Sequence, residues 1–116
     1  MKITRLYTGS DNESHFEDVE IELEDAGDIG HLSEKLEATG IIFRRTDPDY
    51  HYTWHNAPQR QYIIMLDGAA DVEIGDETIR RFSTGDVLLV EDTTGRGHIS
   101  RAVDNQPRTS VFITLD

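Results

Sequence analysis

"YHYTWHNAPQRQYIIMLDG", Tyr50 to Gly68, places two histidines just ahead of an apolar run that ends in Asp-Gly. In "QYIIML" the side chains alternate. Gln61, Ile63 and Met65 share one face of a strand, and Tyr62, Ile64 and Leu66 share the other. The Asp-Gly that follows supplies the positive-φ position of a tight turn. "HYTWH" reads as a second short strand. Both faces of the first strand carry apolar side chains, so the one turned from the interior needs a cover, either the edge of a second sheet or a partner subunit. A homodimer is expected on that count.

The same punctuation recurs along the chain. "KITRLY" and "FEDVEIEL" precede residue 40. "IIFRRT", "HYTWH", "QYIIML", "ADVEIG", "TIRRF", "DVLLVE", "HISRAV" and "TSVFITL" follow it, separated by turn-forming residues. Ten short strands without a periodic helix describe an all-β sandwich or barrel, with consecutive strands mostly antiparallel neighbours. Within "VEIELE", Val19, Ile21 and Leu23 fall on one face and three glutamates on the other, the mark of a half-buried strand. Residues 25–40 hold three glycines and read as a loop with at most a short helix.

At 116 residues the chain is long enough for one modest core. A single domain is expected over 1–116, with N-terminal strands and an acidic loop over 1–40 and the barrel core over 41–116. Eleven basic residues against 23 acidic ones give a formal charge of −12, which repels nucleic acid phosphates and anionic lipid. Eleven of the acids lie between Asp11 and Glu37 against the single base Lys35. That run is either a solvated face that discourages edge pairing or an acidic docking surface. No cysteine is present, so disulfides, thiolate metal sites and a cysteine nucleophile are excluded. No apolar run reaches the roughly 20 residues of a membrane span, and the cytoplasm is the expected compartment. Neither a phosphate-binding glycine loop nor a Gly-x-Ser-x-Gly elbow occurs.

The spacing in the second half is more specific. His55 precedes Gln61 by six residues, Gly68 follows after another seven, Gly85 opens "GDVLLVEDTTGRGH", and His98 closes it. Between Arg44 and Val103 this resembles a small single-domain cupin, a family whose first motif pairs His-x-His with a glutamate and a glycine. Its second motif runs from a glycine through Pro-x-Gly to a further histidine. His55, Gln61, Gly85 and His98 match motif positions. Ala57 stands in place of the second histidine, Gln61 in place of the glutamate, Glu91 in place of the proline, and His98 lies two residues late. The resemblance implies a double-stranded β-helix, or jelly-roll barrel. It also implies a divalent Fe, Mn, Ni, Cu or Zn at the barrel centre in a dioxygenase, isomerase, lyase or decarboxylase.

Such an ion needs at least three good donors at about 2.0–2.2 Å. The motif supplies two imidazoles and the neutral carboxamide of Gln61. His51, four residues before His55 on the same strand, would add a third imidazole by simple alternation. The candidate metal ligands are thus His55, Gln61, His98 and His51. Ile63, Met65 and Ser100 line the cavity by parity, and Arg96, between Gly95 and Gly97, would sit at its mouth over a bound anion. Glu91 or Asp92 is an alternative completion of the metal site. By the same alternation Tyr52 and Trp54 face away from His55, and Arg60 points outward to a surface ion pair. The expected partner is a small organic molecule. Three functions stay open: a metal-assisted enzyme, a metal-free cavity that binds or works on a small ligand, and an interaction domain.

Overall fold

The computed structural model describes all 116 residues. Its strands are β1 (Lys2–Thr8), β2 (Ser14–Glu20), β3 (Glu24–Asp25), β4 (His31–Leu32), β5 (Gly40–Thr46), β6 (His51–His55), β7 (Gln61–Asp67), β8 (Ala69–Glu73), β9 (Ile79–Ser83), β10 (Val87–Glu91), β11 (His98–Ala102) and β12 (Arg108–Thr114). A six-stranded sheet in the order β2-β1-β10-β7-β12-β5 faces a four-stranded sheet in the order β6-β11-β8-β9. All ten expected strands are present. The segment read as a loop carries one 3-10 turn, Gly27–Ile29, and the two-residue ribbon β3/β4.

The winding differs from the expectation of mostly neighbouring consecutive strands. Only β1/β2, β3/β4 and β8/β9 pair consecutively, while β6, β7 and β8 alternate between the two sheets. The turn at Gly68 makes one of these switches. Its φ is +81°, and a Cβ there would lie 2.5 Å from the Pro107 carbonyl oxygen, so only glycine lets the chain turn so close to the start of β12. The first twenty residues are integral to the large sheet, because β1 pairs in parallel with β10 from Thr4↔Leu88 to Tyr7↔Glu91. The strand expected through Leu23 ends at Glu20, and Leu23 is exposed.

Alternation in β7, β10 and β8 builds the core. Met65, Leu88, Val90, Val72 and Ala70 turn inward and meet Leu6 of β1 and Phe82 of β9. Phe16 of β2 packs on the Phe82 ring with centroids 6.1 Å apart. The opposite face of β7 is apolar as well. Register carries one row from Phe43 through Val111 and Ile64 to Val87, and a second from Ile41 through Ile113 and Tyr62 to Leu89. Residues between β2 and β5, which stand at opposite edges of the large sheet, pass over this side. There Leu32 and Leu36 share a groove with Tyr62.

Candidate functional site

Between the sheets lies a cavity of about 450 Å³, within the range of small-molecule sites. Its floor is the core itself, with Leu6, Met65, Val72, Phe82 and Leu88 exposing their inner surfaces to it. Above that floor polar groups converge from both sheets.

His55 and His98 face each other across the β6/β11 ladder, with ring centroids 4.4 Å apart. The close approach depends on Gly97, whose φ is +81° and whose Cβ would fall 1.9 Å from the His55 carbonyl oxygen. The loop before it is pinned to the same strand end. Asn56 Nδ2 donates to the Thr94 and Gly95 carbonyls at 2.9 and 3.0 Å, and Ala57 N–H donates to the Asp92 carbonyl at 3.1 Å.

Each imidazole is oriented through Nδ1. His55 Nδ1 lies 2.7 Å from the Thr53 carbonyl oxygen, which can only accept, so the proton sits on Nδ1. His98 Nδ1 lies 2.5 Å from Asp92 Oδ2, which also accepts from Ser14 Oγ at 2.8 Å. Asp92 is fully buried, and its Oδ1 has no partner. The Nε2 edge of each ring has no protein partner and is left for whatever occupies the cavity. Burial holds the His55 pKa below the usual imidazole value. The bond to Thr53 opposes this, and neighbouring His98 lowers it further.

The sequence-based assignments separate at a bulge in β6. His55 pairs with His98 and Tyr52 with Ser100, so Thr53 and Trp54 stand opposite the single residue Ile99. The extra residue reverses the alternation. Tyr52 joins His55 inside, with ring centroids 3.9 Å apart, contrary to the outward direction expected of it. His51 pairs with Arg101, is exposed and does not line the cavity, so the third imidazole is missing for this reason. Trp54 stays outside beneath the Arg96 guanidinium, 5.1 Å from its ring centre. Arg96 itself bonds Glu13 and lies away from the cavity, not over a bound anion. Glu91 is engaged by Arg5 and Arg60 at 2.6 Å each, so it completes no metal site, and Arg60 forms the outward ion pair. Gln61, Ile63, Met65 and Ser100 line the cavity together with the two histidines.

A transition metal fits this donor set poorly. No three His, Cys, Asp or Glu side chains gather in metal-binding geometry, and Asp92 approaches His98 from behind, on Nδ1. Two imidazoles and the Gln61 amide fall short of the three good donors such an ion requires.

Arg44 of β5, Arg108 of β12 and Tyr50 also line the cavity and were not singled out from sequence, and Tyr52, expected to face away, joins them. Both guanidiniums lie over the Tyr50 ring, Arg44 at 5.1 Å and Arg108 at 4.9 Å from its centre, and the Tyr52 ring lies 6.3 Å away. One wall thus runs from two guanidiniums through two phenols to two imidazoles, with the buried Asp92 carboxylate behind the second imidazole. Parity held the signal for the arginines, since Arg44 alternates with Ile42, and Arg108 with Ser110 and Phe112, all of which face inward.

No family model matches the chain, and no curated protein matches it in sequence. Solved structures do match its shape. A Cupin 2 conserved barrel domain protein from Salinispora arenicola CNS-205 superposes with a TM-score of 0.52 at 17% identity, covering 66% of this chain and 61% of that one. The fold is a cupin barrel. The conserved protein SPY1581 of unknown function from Streptococcus pyogenes gives 0.52 at 17% identity over 72% of this chain and 69% of its own. NMB1881 from Neisseria meningitidis gives 0.51 at 18% identity over 70% and 79%. This chain spans about three-fifths of the Salinispora protein, and at these identities the likeness is one of cupin architecture alone. No helix in this barrel is long and apolar enough to cross a membrane.

Proposed function

We propose that the cavity of this cupin barrel binds a small organic molecule without a resident metal, and that His98 exchanges a proton with it. The observation that carries this reading is the bond from His98 Nδ1 to the fully buried Asp92, 2.5 Å long, in a ring whose other edge serves the cavity. A carboxylate on Nδ1 fixes the tautomer and stabilises the imidazolium that forms when Nε2 takes a proton. Ser14 holds the carboxylate in turn, and the apolar floor keeps water away from the reacting edge. His55, half-buried and with its pKa held below the usual imidazole value by desolvation, serves as a second acceptor for the ligand.

One observation favours a second reading, in which His55 and His98 share a divalent ion. Both hold Nδ1 on an oxygen, as metal-bound histidines do. Metal analysis of untagged protein purified without chelators separates the two. Metal far below stoichiometry, together with ligand-induced shifts of the His98 ring resonances in a fragment screen, is expected. Near-stoichiometric Fe, Mn, Ni, Cu or Zn that disappears when His55 and His98 are both replaced by alanine would overturn the metal-free reading.

We also propose that the chain pairs with a second copy through β5. Phe43 and Ile41 on this edge strand are 76% and 57% exposed and extend the two apolar rows of the outer face. Light scattering should give twice the chain mass, and Phe43→Lys should return a monomer. A monomeric wild type would refute the pairing.

A further inference from the structure

Six of the nine arginines bond a carboxylate, as the acid excess of this chain would lead one to expect. Arg45 is exposed. The other two, Arg44 and Arg108, line the cavity, and neither makes a side-chain hydrogen bond or an ion pair. Arg108 is only 8% exposed, and its Nη1 is buried without any partner. A guanidinium held this way is expensive, since a buried charge is normally paired and hydrogen-bonded. In a protein with 23 carboxylates, leaving two inward arginines without one is a cost that a ligand's charge would remove.

We infer that Arg44 and Arg108 bind the carboxylate of an organic acid whose apolar or aromatic body fills the cavity towards His55 and His98. This rests on the cavity being the ligand site. Three observations select the chemistry. The guanidinium fork matches a carboxylate with two parallel bonds. Only Arg108 is deeply buried while Arg44 is half-buried and solvated, so one negative charge balances the interior. Tyr50, Tyr52 and Phe112 line the space beside the arginines, offering ring faces to a planar body. Burial and the nearby Arg44 charge both push the Arg108 pKa down, the strain that an anion would relieve. With the carboxylate anchored at this end, the remainder of the molecule is directed along the aromatic wall to the Nε2 edge of His98.

The test uses the two methionines as reporters, Met65 at the cavity floor and Met1 exposed outside it as a reference. With methyl-labelled methionine, 3-phenylpropanoate and its neutral amide are titrated separately into the whole chain. The acid is expected to shift Met65 but not Met1, with an affinity about tenfold or more above that of the amide. Arg108→Met should remove this preference while the amide binds as before. Equal binding of acid and amide, or a preference that survives in R108M, overturns the anion site while leaving the cavity as a ligand site. Neither compound moving Met65 at several millimolar removes the cavity reading and this inference together. Tighter binding of phenyl phosphate than of the acid overturns the carboxylate assignment. Should R108M lose its β-sheet circular dichroism, R44M carries the same comparison, with a smaller loss of preference expected.

Discussion

Replacing Arg108 by methionine should make the ligand-free protein more stable, although it removes a buried side chain of β12. Arg108 contributes no ion pair, and the buried Nη1 has no acceptor. Relief of an unsatisfied buried donor is worth about 1–3 kcal/mol. Against this stands the stacking of the guanidinium on Tyr50 at 4.9 Å, worth about 0.5–2 kcal/mol. Methionine keeps the apolar stem and fills an irregular space. The balance is a gain of about 1 kcal/mol, which for a domain of 116 residues raises Tm by about 3–5 °C. Calorimetry is best done near 0.15 M salt, where a Debye length of about 8 Å screens the long-range attraction between Arg108 and the acidic surface. A Tm lowered by more than about 2 °C would mean that the guanidinium stabilises the fold as it stands. Arg108 would then not be an unsatisfied charge awaiting a ligand.

Other substitutions probe the framework of the site. Gly97→Ala should destabilise by more than about 3 kcal/mol or prevent folding, because its Cβ collides with the His55 carbonyl, 1.9 Å away, at a positive φ; a soluble variant with unchanged urea midpoint would contradict the geometry. Asp92→Asn should cost about 1–3 kcal/mol in urea unfolding, since an NH2 at the Oδ1 position meets no acceptor, and Ser14→Ala about 1 kcal/mol. A neutral D92N would show that the pair with His98 is not what holds the loop. His55 links stability to pH. Its folded pKa is below its unfolded one, chiefly through burial, so the unfolded chain takes up the proton first as pH falls below about 6.5. The stability gained by keeping it neutral is complete above that pH and is lost on acidification. The Tm difference between wild type and His55→Gln should therefore shift against wild type between about pH 7.5 and about pH 5.5. A difference independent of pH would refute the depressed value.

How far the sequence could be read varies element by element. "QYIIML" gave a correct strand with correct faces, and "DVLLVE" a correct strand, because regular alternation and a short apolar run need no knowledge of neighbours. The same rule misdirected His51 and Tyr52, since a bulge is defined by the partner strand. Nothing in "HYTWH" itself announces that two of its residues will face Ile99 alone. "VEIELE" alternates beyond Glu20, yet the ladder with β1 ends at the pair Lys2↔Glu20, with one further backbone bond from Ile21 N–H to the Met1 carbonyl. The arginines were legible by parity in "IIFRRT" and "PRTSVFIT" once β5 and β12 were seen to be neighbours across the cavity roof. Asp92 was harder. Its role as the partner of His98 Nδ1 depends on the path of the loop at residues 93–97, which spacing alone does not describe.

The bulge in β6 also bears on which changes of length the chain can absorb. Deleting one residue from most barrel strands turns every later side chain to the opposite face. Loss of Trp54 differs, because it would leave the pairs His55↔His98 and Tyr52↔Ser100 in place and convert two residues facing one into a regular ladder. The barrel therefore carries a position where a codon can be dropped without rewriting the cavity, next to the histidine whose placement matters most.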